Sequence, residues 1–235
     1  MIERERRAIQ QRKEASRDYT SPPKPLLRGW FHTGATVAAL AITAGLLLRT
    51  TGDLPRFASV LIFGLSMIVL YGISSIYHIG RWTGRRRQVL RALDHANIFL
   101  LIAGTYTPIC VNILTGTFRT ALLALIWGLA AVGIGATVLM PGMPRWIATA
   151  LYIGMGWLAL VPLPAVVRAL PLPATAILFA GGVLYTVGGL VYALRRPDPI
   201  PHVFGFHEVF HLFVIAGSAA FTLVIWGWVV PFSHG

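Results

Sequence analysis

The chain has 235 residues, of which 56% are hydrophobic and only 12% charged, and its mean hydropathy is +0.70. A soluble domain carries about 25% charged residues, so a water-soluble globular protein is excluded, and the long apolar blocks call for lipid as their solvent. The net charge of +12 and pI near 11.0 do not indicate a nucleic-acid partner, because the basic residues lie in the first 29 residues and in loops rather than on one face of a domain.

Residues 1–29 read as a basic cytoplasmic tail, partly helical as far as Lys13 and interrupted by Pro22, Pro23 and Pro25. No short apolar segment with a small-residue cleavage site precedes the first block, so this is not a secretory signal. The tail is suited to rest on anionic headgroups. From residue 30 to 235 the pattern predicts an all-α, seven-transmembrane helical bundle with spans at 30–48, 57–78, 93–114, 119–140, 146–167, 174–194 and 207–230. Each approaches the 20 or so apolar residues that cross a bilayer. In the third span, Pro108 follows Ala-Gly-Thr-Tyr-Thr and frees a backbone carbonyl that Thr105 or Thr107 can satisfy, a structural kink. The lone Cys110 excludes an intrachain disulfide and reads as a small buried hydrophobe. Pro162 and Pro164 either kink the fifth span or end it early, and Pro171 and Pro173 mark the next turn. Gly181, Gly182, Gly188 and Gly189 make the sixth span a close-packing helix.

Charge fixes the orientation. With the N-terminus in the cytoplasm, the tail, the second-to-third loop (Arg81, Arg85, Arg86, Arg87, Arg91), Arg145, Arg195 and Arg196 place 16 of the 20 Lys and Arg inside. Arg49, Arg56, Arg119 and Arg168 remain outside. That bias predicts N-terminus in and C-terminus out, in a multi-pass protein of the cell inner (plasma) membrane.

This topology brings chemistry-bearing residues to one depth. The second span ends inside with Ser74 and His78, the third begins there with Asp94, and the seventh begins there with His207 and His211. His207 and His211 are four apart and share a helical face, as do Ser74 and His78. Two imidazoles so placed can hold one metal ion, with His78 as a third ligand. Three histidines and a water form the open, catalytic type of zinc site, in which the water's pKa falls to about 7. Asp94 can orient or deprotonate that water, and Ser74 can hydrogen-bond the water, the carboxylate or a developing oxyanion.

Ordinary explanations compete. A lone interfacial histidine or serine is commonly a packing residue, and Arg91 can pair with Asp94 across one helical turn. The string His207-Glu208-Val209-Phe210-His211 matches the H-E-x-x-H of zinc proteases, where the glutamate is general base. No further ligand motif follows it, and Glu208 faces about 100° away from His207, so Glu208 is read as an exposed interfacial residue without a catalytic role. His32, His202 and His234 are placed outside the cluster, and His95 is expected to face elsewhere.

The set Ser74-x3-His78, Leu93-Asp94 with Ala103-Gly104-Thr105-Tyr106-Thr107-Pro108, and His207-x3-His211 resembles the hemolysin III family, the bacterial branch of the progestin and adipoQ receptor group. The resemblance runs from about residue 25 to near the end. It implies seven spans, a cytoplasm-side zinc held by His78, His207 and His211, Asp94 contacting the metal through water, and Ser74 near it. The wider superfamily includes membrane ceramidases, which implies zinc-dependent hydrolysis of a lipid amide or ester, with membrane lipids as partners, Asp94 moving the proton and Ser74 or the metal holding the oxyanion. Glu208 departs from the animal receptors, and the long cytoplasmic extension of those receptors has no counterpart here. Two other classes stay open: a non-enzymatic, zinc-stabilised sensor or receptor-like protein, and a cytolysin.

Overall fold

A computed structural model describes residues 3, 5, 25–140, 142–200 and 202–233. Their regular structure is helical apart from one antiparallel bridge, Ile200 to Phe204. The helices are α1 (Trp30–Arg49), α2 (Leu54–Ile79), α3 (Gly84–Ile113), α4 (Gly116–Leu139), α5 (Arg145–Trp157), α6 (Leu163–Ala169), α7 (Leu172–Leu194) and α8 (Phe206–Val224). Six of them are long and apolar enough to cross a bilayer, and α5 with α6, bent by 51° at their break, makes a seventh if the pair is one span. Reading Pro162 and Pro164 as a kink or an early end thus fits: each lacks the N–H a continuous helix needs, and the chain passes through a 3-10 turn, Leu158–Leu160.

Local chemistry sets the other ends. Asp53 caps α2, its carboxylate accepting the Arg56 N–H at 3.0 Å, with Pro55 in the first turn where no N–H is required. The link between α2 and α3 is short, and α3 begins nine residues before the expected span. Arg85, Arg86, Arg87 and Arg91 are therefore helical rather than loop residues, a correction that follows from counting only apolar residues as span. Of the tail, residues 25–29 are described: Leu26 and Leu27 donate their N–H groups to the carbonyls of His202 and Val203 at 3.1 and 3.2 Å. The helix expected up to Lys13 lies outside the described residues except at Glu3 and Glu5, which are helical.

The centre of the bundle is α3. Inside the protein, 72% of its most apolar window is buried, against 22% for α1, α4 and α7, whose remaining faces are left to lipid. α3 packs on α2, α4, α5 and α6, while α7 pairs with α8, and α8 also meets α1. Small residues allow this closeness: a Cβ on Gly104 would overlap the Ser66 side chain, and one on Gly188 would stand 2.8 Å from Phe213 Cβ. Tyr106 crosses from α3 to the broken end of α5, donating to the carbonyls of Met155 and Gly156 at 3.1 and 2.8 Å. At the far end of α8 a π-turn, Ile225–Val229, continues the helix. Its carbonyl ends are held by Arg49, 2.8 Å from the Trp226 oxygen, and by Arg56, 2.7 Å from the oxygens of both Val230 and Phe232.

Candidate metal centre

The last turn of α2 supplies Ser74 and His78, the second turn beyond the basic start of α3 supplies Asp94, and the first two turns of α8 supply His207 and His211. The start of α8 is fixed by side chains. Asp198 accepts the Phe206 N–H, and Glu208, three residues into the helix, accepts the N–H of Gly205, each at 2.8 Å. These bonds satisfy donors that a helix start leaves free, and they hold the His207 turn in place.

The five residues expected to meet do meet. His78 Nε2 lies 3.0 Å from His207 Nε2, and His78, His207 and His211 each offer a ring nitrogen within 4.8 Å of the others. Two nitrogens on one tetrahedral zinc, each at 2.0–2.1 Å, stand about 3.3 Å apart, so the cluster is of the right size for one ion. His211 is 1% exposed, and its Nδ1 is buried with no hydrogen-bond partner among the described residues. Such an atom is costly unless something occupies it. The donor set, three imidazoles with no thiolate, suits zinc among the metals that imidazole binds well. Asp94 Oδ2 is 3.5 Å from His78 Nε2, with its side chain 12% exposed, and the Ser74 hydroxyl lies against the same carboxylate.

Of the competing explanations, the pairing of Asp94 with Arg91 is not found: Asp94 pairs with His78, because the Asp94 face of α3 turns toward α2. Two expectations need correction. Glu208 is fully buried: it forms an ion pair with Arg28, Nε to Oε1 at 2.8 Å, and so ties the end of the tail to α8. Its lack of a place among the metal-binding atoms stands. His32 belongs to the cluster, since its ring stacks on His211 with centroids 3.7 Å apart and planes 13° apart. The signal for it was available: His32 is the third residue of α1, which starts at the depth where α2 ends. His95 makes no part of the three-histidine set. It bonds the Arg91 carbonyl at 2.7 Å and the Tyr192 hydroxyl at 2.9 Å, but it does line the cavity described next. His202 is exposed and outside the cluster, and His234 lies outside the described residues.

A cavity of about 200 Å³ starts at Ser74, Asp94, His207 and His211 and follows α3 past Ile98, Ile102 and Ile109 to Cys110. The 16 residue steps from Asp94 to Cys110 span about 24 Å of helix. Its walls are almost wholly apolar away from the histidines. The space thus has a polar, metal-competent head and a long apolar channel.

Comparison with known proteins follows that geometry. The family profile described as "Haemolysin-III related" matches residues 20–222. This chain belongs to the haemolysin III family. It is 35% identical over 173 residues to a protein named "Hemolysin-3 homolog" of Bacillus subtilis (strain 168), covering 73% of this chain and 78% of the relative. It is also 35% identical over 170 residues to "Hemolysin-3" of Bacillus cereus, covering 72% and 74%. More distantly, it is 25% identical over 203 residues to the human "Monocyte to macrophage differentiation factor", covering 83% and 81%. The haemolysin III chain is thus an integral, multi-pass membrane protein with a histidine cluster able to hold a metal.

Proposed function

We propose that this haemolysin III protein is a zinc-dependent hydrolase that cleaves an amide or ester bond of a membrane lipid at the cytoplasmic side of the inner membrane. The observation that carries the reading is the position of the three-histidine cluster, with a carboxylate 3.5 Å from one ligand ring, at the polar head of an apolar cavity.

His78, His207 and His211 would hold the zinc, which when bound supplies Lewis-acid polarisation of a carbonyl and a water that ionises near neutral pH. Asp94, 3.5 Å from His78 Nε2, would accept a proton from the attacking water and return it to the leaving nitrogen or oxygen. Ser74, against Asp94, orients the carboxylate and can donate to the oxygen on which charge develops. The walls along α3 bind the acyl chain and keep bulk water away, which strengthens every polar interaction at the head. The sidedness rests on the 16-to-4 distribution of basic residues.

A second reading has its own observation. Asp94 lies close enough to the histidines to become a fourth protein ligand, and four protein ligands make a structural, non-catalytic zinc. The protein would then be a zinc-stabilised sensor. Zinc-loaded protein in lipid nanodiscs, given ceramide and glycerolipid substrates, separates the two by mass spectrometry of released fatty acid. Release that is lost in Asp94→Asn with zinc retained supports the hydrolase. Unchanged turnover in Asp94→Asn sinks the mechanism, and no turnover of any lipid with zinc firmly bound leaves the sensor.

A further inference from the structure

Beside the long cavity lies a second recess of about 100 Å³, lined in part by Gln88, Arg91, His95, Arg145, Tyr152 and Tyr192. His95, Tyr152 and Tyr192 line both spaces, so the recess and the cavity share a wall. The recess is also close to the metal cluster. His95 follows Asp94 in sequence, and the Tyr192 ring is 6.0 Å from that of His207.

The recess is lined by two arginines, with Asp94 on the cavity side acting on the shared wall residues Tyr152 and Tyr192. The Arg145 guanidinium lies over the Tyr192 ring at 5.5 Å, and its Nη1 is buried with no hydrogen-bond partner among the described residues. Arg91 and Arg145 both lie near enough to act electrostatically on Tyr192. Among the described residues no carboxylate pairs with either arginine. Asp53 is held by Arg56, Glu208 by Arg28, Asp94 by His78, and Asp198 by the start of α8. The wall offers neutral acceptors, the Gln88 amide and the tyrosine oxygens, but no anion paired with either arginine. His95 Nδ1 faces the Arg91 carbonyl at 2.7 Å and must carry the proton there, so its Nε2 accepts from the Tyr192 hydroxyl at 2.9 Å. The Tyr152 hydroxyl donates to the His95 carbonyl at 3.2 Å. Both tyrosine protons and the imidazole are thereby committed to the wall, while Arg91 and Arg145 line the recess and Arg145 Nη1 has no partner among the described residues.

Two arginines from different helices, lining one recess with no carboxylate salt-bridged to either among the described residues, suit an oxyanion. A phosphate has enough oxygens to bridge both, whereas a carboxylate satisfies one fork. The adjoining cavity takes the apolar remainder of the same molecule. We propose that the Arg91–Arg145 recess receives the phosphate of a membrane phospholipid whose acyl chain lies in the long cavity, which makes phosphate-bearing lipids, rather than neutral ones, the substrate class. The assignment as substrate rests on the hydrolase reading; the binding itself does not.

The test is equilibrium binding to the full chain in a neutral detergent, with radiolabelled phosphatidic acid, a diacylglycerol of the same chains, and inorganic phosphate as probes. Phosphatidic acid is expected to bind at least about tenfold more tightly than the diacylglycerol, the effect of charge-assisted hydrogen bonds. Arg91→Gln/Arg145→Gln is expected to erase that difference, Arg91→Lys/Arg145→Lys to keep part of it, and Arg168→Gln, at an exposed site elsewhere, to leave it intact. Retained zinc in each variant certifies the fold. Equal binding of the diacylglycerol, or an undiminished preference in the double glutamine variant, overturns the proposal. So does inorganic phosphate binding as tightly as the lipid, which would assign the recess to free phosphate. Arginine-dependent lipid binding without any release of fatty acid refutes the hydrolase reading and leaves the phosphate site standing.

Discussion

His32 stacks face to face on His211 at 3.7 Å, and the two ring nitrogens of His32 have no hydrogen-bond partner among the described residues. A metal-binding histidine is ordinarily oriented by a hydrogen bond to its second nitrogen. The His211 ring has a further support in its face-to-face packing against His32. His32→Phe keeps a ring in the stack and removes two buried polar atoms; it is expected to retain zinc and to change stability by about 1 kcal/mol or less. His32→Ala removes the stacking face and is expected to weaken zinc binding about tenfold and to cost about 2 kcal/mol or more through the cavity left behind. Zinc competition with a chelating dye and thermal unfolding in detergent measure both. Loss of zinc in His32→Phe would show that His32 nitrogens, and not its face, matter.

The Arg28–Glu208 pair crosses from the end of the tail to α8, with the carboxylate fully buried and the arginine side chain 21% exposed. Removing the arginine alone leaves a buried charge without its partner, which costs about 3 kcal/mol in such settings and less here because water reaches the arginine. Arg28→Met is therefore expected to lower thermal stability more than Arg28→Met/Glu208→Gln, in which the glutamine can still accept the Gly205 N–H. A double variant less stable than Arg28→Met would overturn this account.

The bundle and the five-residue cluster were legible because both follow from periodic signals: apolar length, the sidedness of arginine, and the four-residue spacing of Ser74 with His78 and of His207 with His211. What could not be read are contacts between segments with no shared spacing. Nothing in the neighbourhood of Glu208 says that Arg28, 180 positions away, neutralises it, and an acidic residue beside a histidine at a helix start reads as solvated. Arg91, one turn away on the same helix, is a competing partner for Asp94 that spacing alone cannot dismiss. The rotation of α3 against α2, set by packing such as Gly104 on Ser66, instead turns Asp94 to His78. The helical state of Arg85, Arg86 and Arg87 was missed because charged residues are silent in a hydropathy reading while still being good helix formers.

Metal removal should register in stability as well as in composition. With His78 Nε2 and His207 Nε2 3.0 Å apart, a metal ion held there would join α2 to α8, and a ligand that binds only the folded state raises its stability. The protein is expected to hold about one zinc per chain, to unfold at a lower temperature after prolonged chelation, and to recover on adding zinc. His78→Ala, His207→Ala and His211→Ala are each expected to lose the metal and the chelator response together. Full zinc content in any of the three would remove that residue from the centre.

Two glycines of α7, six residues apart, test the cavity. Gly188 packs against α8, where a Cβ would stand 2.8 Å from Phe213 Cβ, while a Cβ on Gly182 meets nothing within 4 Å and Gly182 lines the long cavity. Gly188→Ala must push α7 from α8 and is expected to cost about 1–3 kcal/mol. Gly182→Leu has room and is expected to be stable, at least as stable as the parent, because the helix also gains propensity. Its side chain, however, would occupy the channel some way from the histidines. Lipids with long acyl chains should then bind several-fold more weakly, and short-chain analogues should bind as before. Binding of an acyl-chain series to Gly182→Leu by native mass spectrometry reads this directly. A uniform loss across chain lengths would mean that the substitution distorts the polar head, and no loss at any length would mean that the chain runs elsewhere.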